Sequence, residues 1–240
     1  MKIVLSPEYQ SMAEAVARLP LLMEQGGGDV VYDGRNRVCR FVVDGQRLMV
    51  KRFKRANAVQ RVAYTFFRPT KAARAFRYAA EFNRRGISTP APVAYMEQRG
   101  SGLFTVGFFV STEAPGIEAS RLLREVPDYP SALAEAVARQ VVFMHSRGVL
   151  HGDLNLTNFL CTEADGDYVF SMIDINRSRF TDGFPSRDAC MDNLVRLTHR
   201  RDLYEDLVRR YARQRQWDEA SAVADALCRL HRFEHRRWHF

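Results

Sequence analysis

The sequence predicts an α+β fold of two lobes, in which an antiparallel sheet with one main helix precedes a mostly helical region. First, apolar and polar residues alternate over residues 29–53, and Asp-Gly pairs interrupt the alternation twice, as turns between strands do. Second, two more strand patterns follow an alanine-rich helix pattern at residues 70–85. Third, a long helix pattern at residues 132–147 is followed by charged helical segments past Pro185.

Length and composition bound the number of domains. The chain has 240 residues, of which 46% are hydrophobic, enough for one domain of two lobes or for two small domains. We expect residues 1–28 to form an N-terminal helix and a glycine break, and residues 29–112 to form the N-terminal lobe. Residues 113–240 would then form the C-terminal lobe, which ends in a basic, aromatic tail.

The N-terminal region predicts one short helix. Ser6 precedes Pro7 as an N-cap precedes a proline in the first helical turn. Apolar residues of Tyr9–Leu19 recur on one helix face, and we expect Pro20 to end the helix because proline lacks an amide hydrogen. Gln25–Gly28, with three glycines, then forms a break.

The N-terminal lobe is expected to contain five strands and one helix. The strand patterns are Val30–Tyr32, Arg37–Val43, Arg47–Phe53, Val93–Glu97 and Leu103–Val110. The helix begins at Thr70 or Lys71 and runs to about Arg85, whereas Ala56–Phe67 gives a mixed pattern. Ser111–Gly116 then leaves the sheet as a hinge.

The C-terminal lobe is expected to be helical around one polar motif. The helix patterns are Ala132–Arg147, Cys190–Leu197, Leu203–Tyr211 and a last helix that Asp218 caps. The segment Val149–Phe159 (VLHGDLNLTNF) follows the first of these helices directly. Its polar residues are His151, Asp153 and Asn158. The strand pattern Tyr168–Ile173 ends at Asp174, and a hairpin with its turn at residues 163–167 would bring Asn158 and Asp174 together.

These residue types match the needs of phosphoryl transfer from ATP. The reaction needs a carboxylate that orients and deprotonates the acceptor hydroxyl, two oxygen ligands for magnesium, and a cation on the nucleotide phosphates. Asp153, Asn158, Asp174 and Lys51 supply these groups in the order in which a kinase chain supplies them. Alternatively, Asp153 or Asn158 is a turn former and Lys51 an exposed lysine of an edge strand.

The motifs HGDLNLTNFL and MIDINRSRF resemble those of the lipopolysaccharide-core sugar kinases, the Kdo and heptose kinase family with a protein-kinase-like fold. RNRVCRF (Arg35–Phe41), LMVKRFK (Leu48–Lys54) and GISTPAPVAY (Gly86–Tyr95) support the resemblance, which covers roughly residues 20 to 200. It implies a two-lobed kinase that uses ATP and Mg²⁺. The acceptor would be a sugar hydroxyl of the lipopolysaccharide inner core, with Kdo on lipid A the first choice.

The resemblance also implies a role for each site residue. Asp153 would be the catalytic base, Asn158 and Asp174 the magnesium ligands, and Lys51 the clamp on the ATP phosphates. His151 would hold the loop by packing and hydrogen bonding rather than act as a base.

Two features depart from the family pattern. Glu81 is the only acidic residue of the predicted helix and the candidate partner of Lys51, but the family register would place this glutamate near Arg77. The alternative for Glu81 is a solvated residue on the helix face. The expected phosphate-covering loop, Asp33–Arg37, has one glycine, Gly34, where protein kinases have three.

Three more residues are candidates for substrate contacts: Asn155, Arg177 and Arg179. Asn155 bonds either the loop or the transferred phosphate. The two arginines either contact acidic groups of the substrate or tie their own segment to the loop.

The net charge is +8, and only four of the 36 basic residues are lysines. The arginine excess reflects either a genome that favours arginine codons or recognition of phosphate and carboxylate. An acidic glycolipid and an anionic lipid surface are suitable partners, whereas no motif supports binding of nucleic acid. The tail His231–Phe240 is expected either to rest on a membrane interface or to be a disordered basic tail.

The chain has neither a run of about 18 apolar residues nor an N-terminal signal pattern. Its four cysteines show no metal-binding spacing, which fits a reducing compartment. We therefore expect a cytoplasmic protein, peripheral on the cytoplasmic face of the inner membrane. The alternatives are a soluble small-molecule or protein kinase, a non-catalytic pseudokinase that binds envelope components, and a nucleic-acid binder. The oligomeric state stays open.

Overall fold

The structure is a computed structural model that describes residues 1–238, with side chains described through residue 235. It divides into two compact units: residues 1–84 with 89–114, and residues 85–88 with the chain from residue 115 onward. The first unit contains an antiparallel sheet and the second is mostly helical, so the predicted α+β class is confirmed.

The first unit is built on a six-stranded sheet. Its strands are β1 (Lys2–Leu5), β2 (Asp29–Asp33), β3 (Arg37–Val43), β4 (Gln46–Arg52), β5 (Pro92–Gly100) and β6 (Leu103–Thr112). They lie in the order β1-β5-β6-β4-β3-β2, and every neighbouring pair is antiparallel. Five of them correspond to predicted strands. β1 is additional, because a four-residue apolar stretch is too short to indicate a strand by its pattern.

Helices cover both faces of this sheet. They are α1 (Ala13–Glu24), α2 (Ala58–Phe66) and α3 (Lys71–Arg84). On one face, Leu19 and Met23 of α1 share a buried core with Val50. On the other face, the alanines of α3 pack with Phe53 and Tyr95. Because successive strand residues point to opposite faces, Lys51 lies on the side that α3 covers.

Two predictions for this unit were wrong. A 3-10 turn, Pro7–Met12, leads into α1, which continues through Pro20 to Glu24 instead of ending there. Pro20 removes one backbone donor, but Leu19 and Met23 are both buried against the sheet, and their burial offsets the loss. The mixed segment after residue 56 forms helix α2, which begins at a capping box between Asn57 and Gln60.

The described part of the second unit contains five helices and five short strands. The helices are α4 (Ala119–Leu123), α5 (Ser131–Ser146), α6 (Arg187–Leu194), α7 (Arg201–Gln214) and α8 (Glu219–Trp238). The strands are β7 (Ile117–Glu118), β8 (Val149–Leu150), β9 (Phe159–Ala164), β10 (Asp167–Met172) and β11 (Arg179–Phe180). β10, β9 and β7 form one sheet, and β11 and β8 form a second.

The last helix is capped as predicted. The backbone N–H of Ser221 donates to Oδ1 of Asp218 at 2.8 Å. The first part of the predicted tail, His231–Phe240, lies in α8, whereas residues 239–240 and the side chains after residue 235 lie outside the described residues. In residues 1–238, no helix combines the length and the apolar character that crossing a bilayer requires.

Arginine side chains bind backbone carbonyl groups at several points of the second unit. Arg85 donates to the carbonyl oxygen of Arg147, just past the end of α5, at 2.7 Å and to that of Thr181 at 2.9 Å. Arg200 donates to the carbonyl oxygen of Pro127 at 2.7 Å. A guanidinium group has several N–H donors in one rigid plane and can therefore bind several carbonyl groups at once, whereas a lysine has a single ammonium group.

Candidate active site

Two short strands, β8 and β11, flank the segment that carries the predicted motif. β8 and β11 pair with Leu150 opposite Arg179, so the two ends of residues 151–178 lie side by side. Within this segment β9 and β10 form the predicted hairpin, with Phe159 opposite Met172. The loop after β8 and the turn after β10 are therefore brought together.

Gly152 allows these two parts to approach closely. Its φ angle of +74° is in the region that favours glycine, and a Cβ atom placed on it would overlap the carbonyl oxygen of Arg177. Arg177 belongs to the 3-10 turn Ile175–Arg177 that follows Asp174. A side chain at residue 152 would therefore separate the loop from this turn.

His151 anchors the loop from inside the unit. Its side chain is fully buried, and its Nε2 lies 3.0 Å from the carbonyl oxygen of Ile173, which can only accept a hydrogen bond. The hydroxyl of Ser178 donates to the carbonyl oxygen of His151 at 3.1 Å. Burial lowers the pKa of His151, although the nearby carboxylates oppose this shift. A neutral, hydrogen-bonded imidazole fits the loop-holding role that the sequence predicts.

Asn158 joins the loop to the end of β10. Its Nδ2 donates to the carbonyl oxygen of Asp153 at 2.8 Å. The backbone N–H of Ile173 donates to the carbonyl oxygen of Asn158 at 3.0 Å. The second polar atom of the Asn158 amide, Oδ1, is an oxygen of the kind that suits a hard cation.

Asp174 follows Ile173 in a left-handed backbone conformation, with φ +52° and ψ +42°. Aspartate tolerates this conformation better than most residues that carry a Cβ atom, and strained backbone is concentrated at functional sites. The side chain is exposed. Because both backbone groups of Ile173 are bonded to the loop, Asp174 is held beside Asn158.

Two guanidinium groups hold the carboxylate of Asp153. Its Oδ2 lies 3.2 Å from Nη1 of Arg177, and its Oδ1 lies 3.2 Å from Nη1 of Arg196. The guanidinium of Arg196 lies 4.7 Å from the ring centroid of Phe233 on α8, which supports it from the other side. The Asp153 side chain is 26% exposed, so a substrate could reach the carboxylate.

The three candidate substrate residues differ in their surroundings. Oδ1 of Asn155 accepts hydrogen bonds from the N–H and the hydroxyl of Thr157, both at 3.0 Å, and so caps the 3-10 turn Leu156–Asn158. Arg177 ties its segment to Asp153, as described above. Arg179 lies on β11 with an exposed side chain. Their contacts with substrate stay predictions.

Lys51 belongs to the first unit. It lies on β4 between Val38 of β3 and Phe109 of β6, and it is half-buried. Its Nζ is 5.7 Å from the ring centroid of Phe53. Its surroundings are therefore those of a central strand rather than of an exposed edge.

Glu81 and Gly34 are also in the first unit. Both carboxylate oxygens of Glu81 accept hydrogen bonds from Arg84 at 2.7 Å, one turn further along α3, whereas the side chain of Arg77 is exposed. Gly34 occupies the turn between β2 and β3, where a Cβ atom would lie 2.5 Å from Oη of Tyr32. Because Tyr32 is exposed, its ring could move aside, so this contact alone does not require glycine at residue 34.

The available ligands fit magnesium. Throughout the described residues, no three side chains of His, Cys, Asp or Glu converge to hold a metal ion. Asn158 and Asp174 offer one amide oxygen and one carboxylate instead. Magnesium is usually bound through one or two side chains together with waters and substrate phosphates, so this small oxygen set suits it.

Sequence reasoning missed two residues that hold the site, Asn193 and Arg196. Oδ1 of Asn193, a buried residue of α6, accepts from the backbone N–H of His151 at 3.2 Å and lies 3.1 Å from Nε2 of His145. A polar residue within the apolar pattern Cys190–Leu197 was the signal for it. Arg196 lies in the same pattern, but arginines occur throughout this chain and therefore do not single out a position.

The hydrogen bonds of Asn193 continue away from the loop through His145. Nδ1 of His145 lies 2.8 Å from the hydroxyl of Tyr211, and Nη1 of Arg215 donates to that hydroxyl at 3.0 Å. Burial lowers the pKa of His145 to about 4, so its ring is neutral at pH 7. A neutral histidine with both ring nitrogens bonded therefore braces Asn193.

Comparisons with known proteins identify the family. Residues 23–222 match the model of the lipopolysaccharide kinase (Kdo/WaaP) family. Over 115 residues the chain is 39% identical to the lipopolysaccharide core heptose(I) kinase WaaP of Pseudomonas aeruginosa. This stretch is 42% of this chain and 42% of the relative, so less than half of the relative's length is matched.

A solved structure, that of WaaP in complex with acyl carrier protein, is similar along nearly the whole chain. Its TM-score is 0.62 at 25% sequence identity, and the match covers 97% of this chain and 99% of that one. The predicted protein-kinase-like fold is thereby confirmed. Because the family model spans well over half of the 240 residues, the chain belongs to the lipopolysaccharide kinase (Kdo/WaaP) family.

Proposed function

We propose that this protein is an ATP-dependent kinase that phosphorylates a sugar hydroxyl of the lipopolysaccharide inner core. Membership of the family supports the reaction class. The observation that carries the proposal is one hydrogen-bonded unit that contains Asp153, Asn158 and Asp174. The Asn158 amide and both backbone groups of Ile173 hold it together.

Asp153 is the proposed catalytic base. It would orient the acceptor hydroxyl and take its proton as the oxygen attacks. Arg177 and Arg196 hold the carboxylate in one orientation before substrate arrives, which removes part of the entropic cost of the reaction. Because phosphoryl transfer demands little covalent chemistry from the protein, this positioning is its main contribution.

The remaining roles concern the nucleotide. Magnesium-bound ATP would supply the phosphoryl group and the positive charge that stabilises its transfer. We propose Asn158 and Asp174 as the residues that hold the metal and Lys51 as the residue that holds the phosphates. Glu81 is the candidate partner of Lys51, and Gly34 lies in the loop proposed to cover the phosphates.

Kdo on lipid A is the first proposed acceptor, as the sequence resemblance implies. Heptose is the second candidate, because the Pseudomonas aeruginosa relative is a heptose(I) kinase. Either acceptor is lipid-linked and acidic, so the proposed place of reaction is the cytoplasmic face of the inner membrane. The exposed guanidinium of Arg179 and that of Arg177 are proposed to meet acidic groups of the sugar.

The test is transfer of labelled phosphate from ATP, with magnesium, to Kdo-lipid A in detergent micelles. A heptose-containing core and a generic soluble protein serve as competing acceptors. We expect label on a sugar acceptor, and a loss of about 10²- to 10⁴-fold in rate for Asp153→Asn. Asp165→Asn is the matched control, because Asp165 is an exposed residue of the β9–β10 turn. Label on none of the acceptors, with ATP still bound, would indicate a non-catalytic binding protein.

A further inference from the structure

Helix α2 turns its apolar residues outward. Val59, Val62 and Phe66 recur at helical spacing, and Phe67 follows at the C-terminal end. Their exposed fractions are 77%, 43%, 68% and 81%. None of the nine residues of α2, all of them described, is buried. An amphipathic helix of a folded unit normally buries its apolar stripe, so this orientation is reversed.

The inner side of α2 combines polar groups with the half-buried ring of Tyr64, which packs edge-on against Phe104. Nε of Arg61 donates to the carbonyl oxygen of Phe104 at 3.2 Å, and its Nη2 donates to that of Gly100 at 2.9 Å. The backbone N–H of Phe104 donates to the hydroxyl of Thr65 at 2.9 Å. These bonds fix the rotation of the helix about its axis, so the outward direction of the apolar stripe is built into the fold.

The sequence around this helix is uniformly basic. Residues 45–80 contain ten arginines and lysines and no aspartate or glutamate. Lys54, Arg55 and Arg68 flank α2 with exposed side chains. Lys54 and Lys71, two of the four lysines of the chain, line one depression beside α2. The apolar stripe is therefore set in a positive surface that complements an anionic partner.

We propose that α2 is a membrane-docking helix that inserts its apolar stripe into the headgroup boundary of an anionic lipid surface. Interfacial helices combine an aromatic, apolar face with flanking cations in this way. Spread-out positive charge suits a lipid surface, whose charges are mobile, better than a protein, whose carboxylates have fixed places. The proposal adds a membrane-docking surface to the proposed function, and it rests on that function because a lipid-linked acceptor would lie at such a surface.

The experiment is flotation of the full chain with vesicles of equal parts phosphatidylglycerol and phosphatidylcholine, or of phosphatidylcholine alone. We expect binding to the anionic vesicles, weakened by salt. The double variant Phe66→Ser/Phe67→Ser should lose at least about tenfold in vesicle affinity, because two exposed aromatic side chains no longer bury their rings. Arg55→Gln/Arg68→Gln should lose about fivefold for each charge. Val42→Ser, which alters another exposed residue of the same unit, should bind as the unaltered chain does.

The outcomes separate docking from catalysis. If the unaltered chain ignores anionic vesicles, or if the α2 variants bind them equally well, the docking proposal is overturned. It is also overturned if the phenylalanine variant abolishes only self-association or only binding of a small acidic protein. Phosphorylation of a delipidated core sugar reports on the kinase separately, and we expect the α2 variants to retain it. Vesicle binding by a chain that phosphorylates no sugar would support docking and refute the kinase.

Discussion

Replacement of Gly152 by alanine would show how strongly the loop depends on its contact with Arg177. A φ angle of +74° costs a residue with a Cβ atom about 1–2 kcal/mol. Loss of glycine's freedom in the unfolded chain returns about 0.4–1 kcal/mol. The overlap with the carbonyl oxygen of Arg177 adds about 1–3 kcal/mol. We therefore expect Gly152→Ala to lower the free energy of unfolding by about 1–5 kcal/mol.

Gly166 provides a matched control in the same unit. Its φ angle is +77°, and nothing lies within 4 Å of the position where a Cβ atom would be. Gly166→Ala therefore carries the backbone cost alone, about 0–1.6 kcal/mol after the gain from the unfolded chain. Any larger loss in Gly152→Ala measures the contact between the loop and Arg177.

Both variants would be compared by urea unfolding and by phosphoryl transfer. Displacement of Asp153 by as little as 1 Å should slow transfer about 100-fold in Gly152→Ala. Gly166→Ala should keep the unaltered rate. Equal stability and equal activity in the two variants would refute the reasoning, because they would show that the loop does not need the close approach.

Three further predictions concern the groups that support the loop. Asn193→Ala removes the acceptor of two buried N–H donors and should cost about 2–4 kcal/mol of stability in urea unfolding, whereas exposed Asn83→Ala should cost under about 0.5 kcal/mol. Since burial lowers the pKa of His145 from 6.5 to about 4, the unfolded chain takes up this proton first as the pH falls. Stability present above pH 6.5 should then fall by up to about 3 kcal/mol by pH 4, and calorimetry of His145→Gln should show a shallower dependence. Arg196→Gln should lower kcat about tenfold without changing the KM for ATP, because Asp153 loses one of its two charged partners, and Arg196→Lys should recover part of the loss.

The regular elements were predictable because local patterns determine them. The alternation in β3 and β4 and the turn between β9 and β10 depend on neighbouring residues only. The orientation of α2 was not predictable, because hydrogen bonds to Gly100 and Phe104, about 40 residues away, decide which side faces inward. The continuation of α1 through Pro20 was not predictable for the same reason, because burial of α1 residues in a core with distant strands offsets the local cost of the proline.

The residues of the candidate site likewise fall into those that local sequence predicts and those that only tertiary structure places. Asp153, Asn158 and Asp174 could be found from their spacing, because the hairpin that unites them is short. Asn193 of α6 and Arg196, which follows that helix, lie about 40 positions later in the chain, and tertiary packing brings them to the loop. Positions of this kind are fixed by tertiary structure and leave little trace in a single sequence.

The arginine excess has a further explanation beyond the two drawn from the sequence. Arg61, Arg85 and Arg200 each donate to at least two backbone carbonyl groups from distant parts of the chain. Buried or half-buried carbonyls need donors, and a guanidinium group can serve several at once. These three positive charges therefore have a structural role, which distinguishes them from the exposed cations around α2.

The two backbone hydrogen bonds of Ile173 also determine how the loop can move. Its carbonyl group is bonded to His151 and its N–H to Asn158, so one residue joins both ends of the loop that carries the proposed base, Asp153. A fluctuation that frees Ile173 breaks its bonds to His151 and Asn158, the two loop residues that lie on either side of Asp153. Opening of the segment should therefore be cooperative, with the amides around residues 158 and 173 exchanging their hydrogens at a common rate. Such a loop would open and close as one unit, so the proposed base and the proposed metal ligands would be ordered together.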